Sequence, residues 1–185
     1  VSGVIVVGVD PGAKDTGICV IRGRDILATH TVATTGDLFP ADRDYLQAVV
    51  HAVRSCFTPG FTDFGDFADE PTLVAVESIT KPNWHMGRGG AAANPTALLA
   101  TAEVLGAVLA HPWPVPIVAV PPGKNGSQPL GTYPPELVSA AERRAKNWQL
   151  KVGGGKLRHQ RSAFDVALAG ARSHQPHLNQ LLEGA

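Results

Sequence analysis

The stretch from Val6 to Ile21, VVGVDPGAKDTGICVI, decides how the rest of the chain reads. Val4 to Asp10 (VIVVGVD) is a continuous β-branched run that stops at the turn signal Pro11-Gly12. A strand covered by protein on both faces has this pattern, so it is expected near the middle of a sheet. Thr16 to Arg22 (TGICVIR) and Ile26 to Ala33 (ILATHTVA) follow after short polar connections, which suits an antiparallel meander.

Downstream, Pro40 to Cys56 places Tyr45, Val49, Ala52, Val53 and Cys56 at spacings of three and four, with Asp42 and Asp44 early, and predicts a first helix. Leu73 to Glu77 (LVAVE) is a second buried-strand pattern; a helix between two strands implies a crossover and parallel pairing. Lys81 to Gly90 (KPNWHMGRGG) predicts a loop. A second helix then runs to His111, with Asn94 as cap and Pro95 at its first position. Its apolar residues spread around most of its circumference, so one face is expected on the sheet and another on a partner subunit or a second helix. Val115 to Val120 predicts a fifth strand, Pro121 to Pro135 a loop carrying Lys124, and Pro135 to Trp148 a third helix. Lys151 to Lys156 predicts a flexible stretch, and Ser162 to Arg172 a last helix capped by Ser162.

The 185 residues, 44% of them hydrophobic and 17% charged, suit one compact α/β domain spanning 1–185, with a core from about 4 to 172 and a short tail. Apolar runs are too short for a membrane span, so a soluble intracellular protein is expected. Cys19 and Cys56 are too few for a disulfide framework and lack CxxC spacing, and read as reduced packing residues. The zero net charge conceals an asymmetry: residues 1–80 hold 5 Lys and Arg against 11 Asp and Glu, whereas residues 81–185 hold 11 against 5. From Arg143 to Arg161 seven cations follow one another without an acid, a candidate phosphate-contacting stretch or a solvated basic face.

Two acids stand where chemistry would be placed. Asp10 ends the first strand and Glu77 ends the fourth, each directly after an apolar run. If these strands are parallel neighbours, their ends lie about 4.8 Å apart and the carboxylates can share a hard cation. Without one, their repulsion would force a proton onto one of them. A turn carboxylate is the alternative for Asp10. Asp165, flanked by Phe164 and Val166 in a packing helix, reads as a third ligand or as a surface aspartate of a first helical turn.

With the opening hairpin, LVAVES and the closing SAFDVALAGA in hand, the chain resembles the RuvC-type Holliday junction resolvases of the RNase H-like superfamily, and the RHQRSAFD arrangement resembles phage-borne members. The resemblance covers Val4 to about Arg172. It implies an RNase H-like fold, a five-stranded mixed sheet in the order 3-2-1-4-5 flanked by helices. It further implies that Asp10, Glu77 and Asp165 are ligands of two magnesium or manganese ions. The activity implied is a homodimeric endonuclease of the cytoplasm of a bacterial or phage-infected cell, nicking four-way or otherwise branched DNA to leave 5′-phosphate and 3′-hydroxyl ends.

The family carries an acid or histidine three residues before its last acid; Ser162 stands there instead, and His159 is the nearest imidazole able to complete the site, as a ligand or as a proton donor. DNA contact is expected from Lys81, Trp84 and Arg88 in the loop after Glu77, where the indole could stack on an unpaired base, and from Lys124, Lys151, Lys156, Arg158 and Arg161. Two other readings stand beside this one. DPGAKDTG is compatible with the phosphate hairpin of the sugar kinase and actin superfamily, and the serine at 162 is compatible with a catalytically silent branched-DNA-binding module.

Overall fold

A computed structural model describes residues 4–57, 71–79 and 94–183. Five strands, β1 (Ile5–Asp10), β2 (Asp15–Arg22), β3 (Asp25–Ala33), β4 (Leu73–Glu77) and β5 (Ile117–Val120), form one sheet in the order β3-β2-β1-β4-β5. β1 to β3 are antiparallel neighbours, while β4 runs parallel to both β1 and β5. This is the five-stranded mixed sheet, in the order 3-2-1-4-5, that the family resemblance implies.

β1 is buried along its whole length because each of its faces meets a different helical layer. Ile5, Val7 and Val9 join Ile18, Val20, Val74 and Val76 in a core shared with α1 (Arg43–Ser55) and α2 (Pro95–Ala110). Val6 points the other way, with Cys19, Ile21, Leu73 and Ala75, into a core closed by Ala163, Phe164, Val166 and Ala167 of α4 (Leu157–Glu183). Strand alternation therefore assigns even positions of β1 and odd positions of β4 to the α4 face. Asp10 and Glu77 fall on that same face.

α4 lies unusually close to the sheet, and small residues permit it. A Cβ on Gly8 would collide with the Ala163 carbonyl, and a Cβ on Gly17 with the His159 carbonyl. The opening hairpin is held from the opposite layer. The Tyr45 hydroxyl of α1 donates to the Gly12 carbonyl at 2.9 Å and lies 2.7 Å from the Thr16 hydroxyl, beside the Pro11-Gly12 turn.

Several boundaries depart from the sequence reading. α1 starts at Arg43 rather than Pro40, because Asp42 is the residue whose side chain accepts the Asp44 amide. α2 is capped by Asn94, which accepts from the Ala97 amide, with Pro95 at its first position, as expected. The strand expected from Val115 begins at Ile117; the preceding Pro116 has no N–H to give and offers only its carbonyl, to Val74.

The helix expected over Pro135–Trp148 is not formed. Pro135–Leu137 is a single 3-10 turn, Val138 is extended, α3 covers only Ala140–Arg143 behind a Ser139/Glu142 capping box, and Asn147 takes a left-handed φ of 54°. Conversely, α4 begins at Leu157, five residues before the expected Ser162, so Ser162 is an interior position rather than a cap. The helix continues beyond Arg172 to Glu183. Cys19 and Cys56 are free and buried, as expected. Among the described residues no helix is long and apolar enough to cross a membrane.

Candidate metal centre

Parallel pairing sets Val9 beside Val76, so the next position along each strand sets Asp10 beside Glu77. Asp10 is only 8% exposed, and Glu77 is partly buried. Burial, followed by the adjoining Asp10 carboxyl, pushes the Glu77 carboxyl up to about 7, against the opposing donors Asn125 and Ser162. Asn125 Nδ2 reaches Glu77 Oε1 at 2.9 Å and Ser162 Oγ reaches Glu77 Oε2 at 3.0 Å. The physical cause is that a buried and a partly buried carboxyl side by side cannot both carry charge cheaply.

His159 joins this pair: its Nδ1 lies 2.7 Å from Asp10 Oδ2. The bond to Asp10 raises the imidazole above its ordinary value even though burial works the other way. The histidine reaches Asp10 from the first turn of α4, not from a preceding loop, because the Gly17 approach brings the His159 backbone onto β2.

Asp165 is placed differently. Its Oδ2 accepts the Gly126 amide at 2.9 Å and the Tyr133 hydroxyl at 2.7 Å, and burial raises its carboxyl despite both donors. Helical geometry gives the reason. Asp165 lies six positions after His159, about 9 Å along the axis and about 120° around it, so the two side chains leave α4 in different directions. The expected site residues fall into two sets of hydrogen bonds: Glu77 stands next to Asp10, which bonds His159, while Asp165 bonds Gly126 and Tyr133. Among the described residues no group of three or more His, Cys, Asp or Glu side chains is arranged to hold a metal ion. The consecutive residues Asn125 and Gly126 link the two sets, one bonded to Glu77 and the other to Asp165.

The pair at the strand ends nonetheless fits a hard divalent cation. Its oxygens are adjacent, their outer sides are fixed by Ser162, Asn125 and His159, and their mutual repulsion is the excess negative charge that a cation would relieve.

Of the expected DNA contacts, Lys124, Lys151, Lys156 and Arg158 are exposed. Arg161 is not available to phosphate. Its side chain is fully buried, with Nη1 donating to the Leu137 carbonyl at 2.9 Å, Nη2 to the Gly154 carbonyl at 2.9 Å, and an ion pair to Glu142 at 3.2 Å. A cation this deep is retained because carbonyls and a carboxylate surround it. Lys81, Trp84 and Arg88 lie outside the described residues.

Sequence reasoning overlooked Asn125, Gly126 and Tyr133. Asn125-Gly126 carries a turn signal within a loop already recognised, but nothing local reveals that it bridges two acids. Tyr133, flanked by a threonine and two prolines, belongs to no periodic segment.

No family model and no curated protein matches the chain. Among solved structures, Thermus thermophilus RuvC in complex with a Holliday junction substrate is similar to it at 17% identity and TM-score 0.48. A second Thermus thermophilus RuvC structure is similar at 20% identity and TM-score 0.48; each comparison covers 95% of this chain and 96% of the other.

Proposed function

We propose that this chain is a metal-dependent, structure-selective endonuclease that nicks four-way or otherwise branched DNA as a homodimer. The observation that carries this reading is the Asp10–Glu77 pair at the ends of adjacent parallel strands, with His159 on Asp10. The motif order shared with RuvC-type resolvases supports it from the sequence side.

In this reading Asp10 and Glu77 hold the cations, and Asp165 contributes from α4. When bound, magnesium or manganese supplies the positive charge that activates water and stabilises the departing 3′ oxygen, leaving a 5′-phosphate. Ser162 and Asn125 orient the Glu77 carboxylate. With Nδ1 engaged by Asp10, His159 Nε2 is the atom left to hold or deliver a proton, and its raised basicity keeps the imidazole protonated to higher pH than an ordinary histidine. Lys124, Lys151, Lys156 and Arg158 would bind backbone phosphates, and Lys81, Trp84 and Arg88 are proposed to meet the branch point. Dimerisation is proposed through α2, where Leu99 and Leu109 are 51% and 43% exposed.

The test is nicking of synthetic four-way junctions, forks and linear duplexes with added magnesium, by wild type and by Asp10→Asn and Glu77→Gln. Wild-type cleavage confined to branched substrates and lost in both variants is expected. Cleavage that survives either substitution, or no cleavage of any branched substrate, overturns the reading.

A further inference from the structure

Asp165 is the one candidate acid whose orientation depends on a segment remote from the strand ends. The Tyr133 hydroxyl receives the Gln128 amide at 3.2 Å, so its single proton is directed to Asp165 Oδ2 at 2.7 Å. The Gly126 amide binds that same oxygen. Both donors engage Oδ2, and no hydrogen bond of Oδ1 is among those described. A carboxylate anchored by one oxygen presents the other in a fixed direction, which is how outer hydrogen bonds orient a metal-binding acid.

Arg161 packs against Tyr133, whose ring also meets Phe164 edge-on at 6.2 Å. The Arg161 guanidinium carbon lies 5.9 Å from the centre of the Tyr133 ring, and its two terminal nitrogens grip the Leu137 and Gly154 carbonyls on opposite sides of the 130–154 segment. The segment is closed at its base by the Pro129–Val152 bridge and by the Leu130 amide bonded to the Lys151 carbonyl. Gly153 leaves room for this arrangement, because a Cβ there would crowd the Arg161 guanidinium, the Glu142 carboxylate and Leu130. Glu142 is itself fixed by the Ser139 amide at 2.8 Å and the Ser139 hydroxyl at 2.9 Å.

We infer that Tyr133 and Arg161 are positioning residues that act in series: Arg161 fastens the 130–154 segment to α4, and Tyr133 on that segment aims the Asp165 carboxylate. The inference rests on the proposed function for its consequence, that cation affinity depends on both residues, but not for the alignment itself. Arg161 thereby has a role distinct from the phosphate contact that its place in a basic run suggests.

The test has two readouts. The amide proton shift of Gly126 in nuclear magnetic resonance spectra of the metal-free protein reports whether the Asp165 carboxylate remains in place, independent of any activity. Calorimetric titration with manganese alone reports cation affinity. Tyr133→Phe removes one hydroxyl and keeps the ring. It is expected to move the Gly126 amide shift toward that of Asp165→Asn and to weaken manganese binding about tenfold or more, the usual effect of losing an outer hydrogen bond at a metal site. Arg161→Lys keeps the charge but cannot span both carbonyls, and is expected to act in the same direction. Because the residues act in series, the double variant should bind manganese no more weakly than the worse single variant.

A Tyr133→Phe protein with a wild-type Gly126 shift and wild-type manganese affinity overturns the inference, as does a double variant whose losses simply multiply. If the wild type binds no manganese at all, the proposed function fails, and the Gly126 shift by itself then decides the alignment.

Discussion

Glu77 keeps its proton up to about pH 7 because burial and the neighbouring Asp10 carboxyl both disfavour its charge. The folded chain therefore binds a proton that the unfolded chain releases near the ordinary glutamate value, so the contribution of Glu77 to metal-free stability is complete below about pH 4.5 and is lost as pH rises through about 7. His159, whose basicity is raised by Asp10, acts in the same direction: its contribution is complete below its ordinary value and is lost above the raised one. Urea unfolding in chelator across this range should show that slope in wild type and a shallower one in Glu77→Gln. Cation affinity should move oppositely, rising about tenfold per pH unit below about pH 7, since proton and metal compete for one carboxylate. A metal affinity independent of pH would contradict the shared site. Arg161 is a second residue whose surroundings overturn its appearance. Replacing it with Met removes a buried cation from two carbonyls and Glu142, and should cost about 3–5 kcal/mol of unfolding free energy.

The elements were legible where local chemistry and packing agree. β1 could be recognised because a fully buried strand has no polar alternation, and α2 because Asn94 and Pro95 mark its start. α4 was misread at its beginning, since Leu157 to Arg161 show charge and an imidazole where a packing helix normally shows apolar residues. His159 and Arg161 are held there by non-local causes: glycine at position 17, a carbonyl at 137 and another at 154. The segment after Pro134 was misread as one helix because helix formers such as Ala140 to Arg144 are frequent there, while the prolines, the extended Val138 and the left-handed Asn147 interrupt it. The acids at the strand ends could be found from sequence because strand ends are local features. The direction of Asp165 could not, because it depends on Tyr133. Gly17→Ala tests the element-scale account. The added methyl meets the α4 backbone, so stability should fall by about 1–3 kcal/mol in urea unfolding, and His159 should withdraw from Asp10.

At the scale of the molecule, the acidic first part of the chain forms most of the sheet, and several cations of the basic later part remain on the surface. Lys151→Ala and Lys156→Ala remove exposed side chains, so each should leave stability within about 0.5 kcal/mol of wild type. Each should also reduce by about one the slope of log affinity against log salt for a four-way junction, measured by fluorescence titration. Unchanged slopes would remove these lysines from the phosphate-contacting surface. Leu99→Glu on α2 places a charge on the proposed dimer contact and should convert a dimer to a monomer in sedimentation, with the fold retained.

His159, Ser162 and Asp165 project from one rigid rod seated on a glycine floor. Adding a single residue between Arg161 and Ser162 would rotate one part of that rod about 100° against the other. Substitution can therefore alter these three groups one at a time, but a change in length must disturb them together, and the spacing between them is fixed by helical pitch rather than by any adjustable loop.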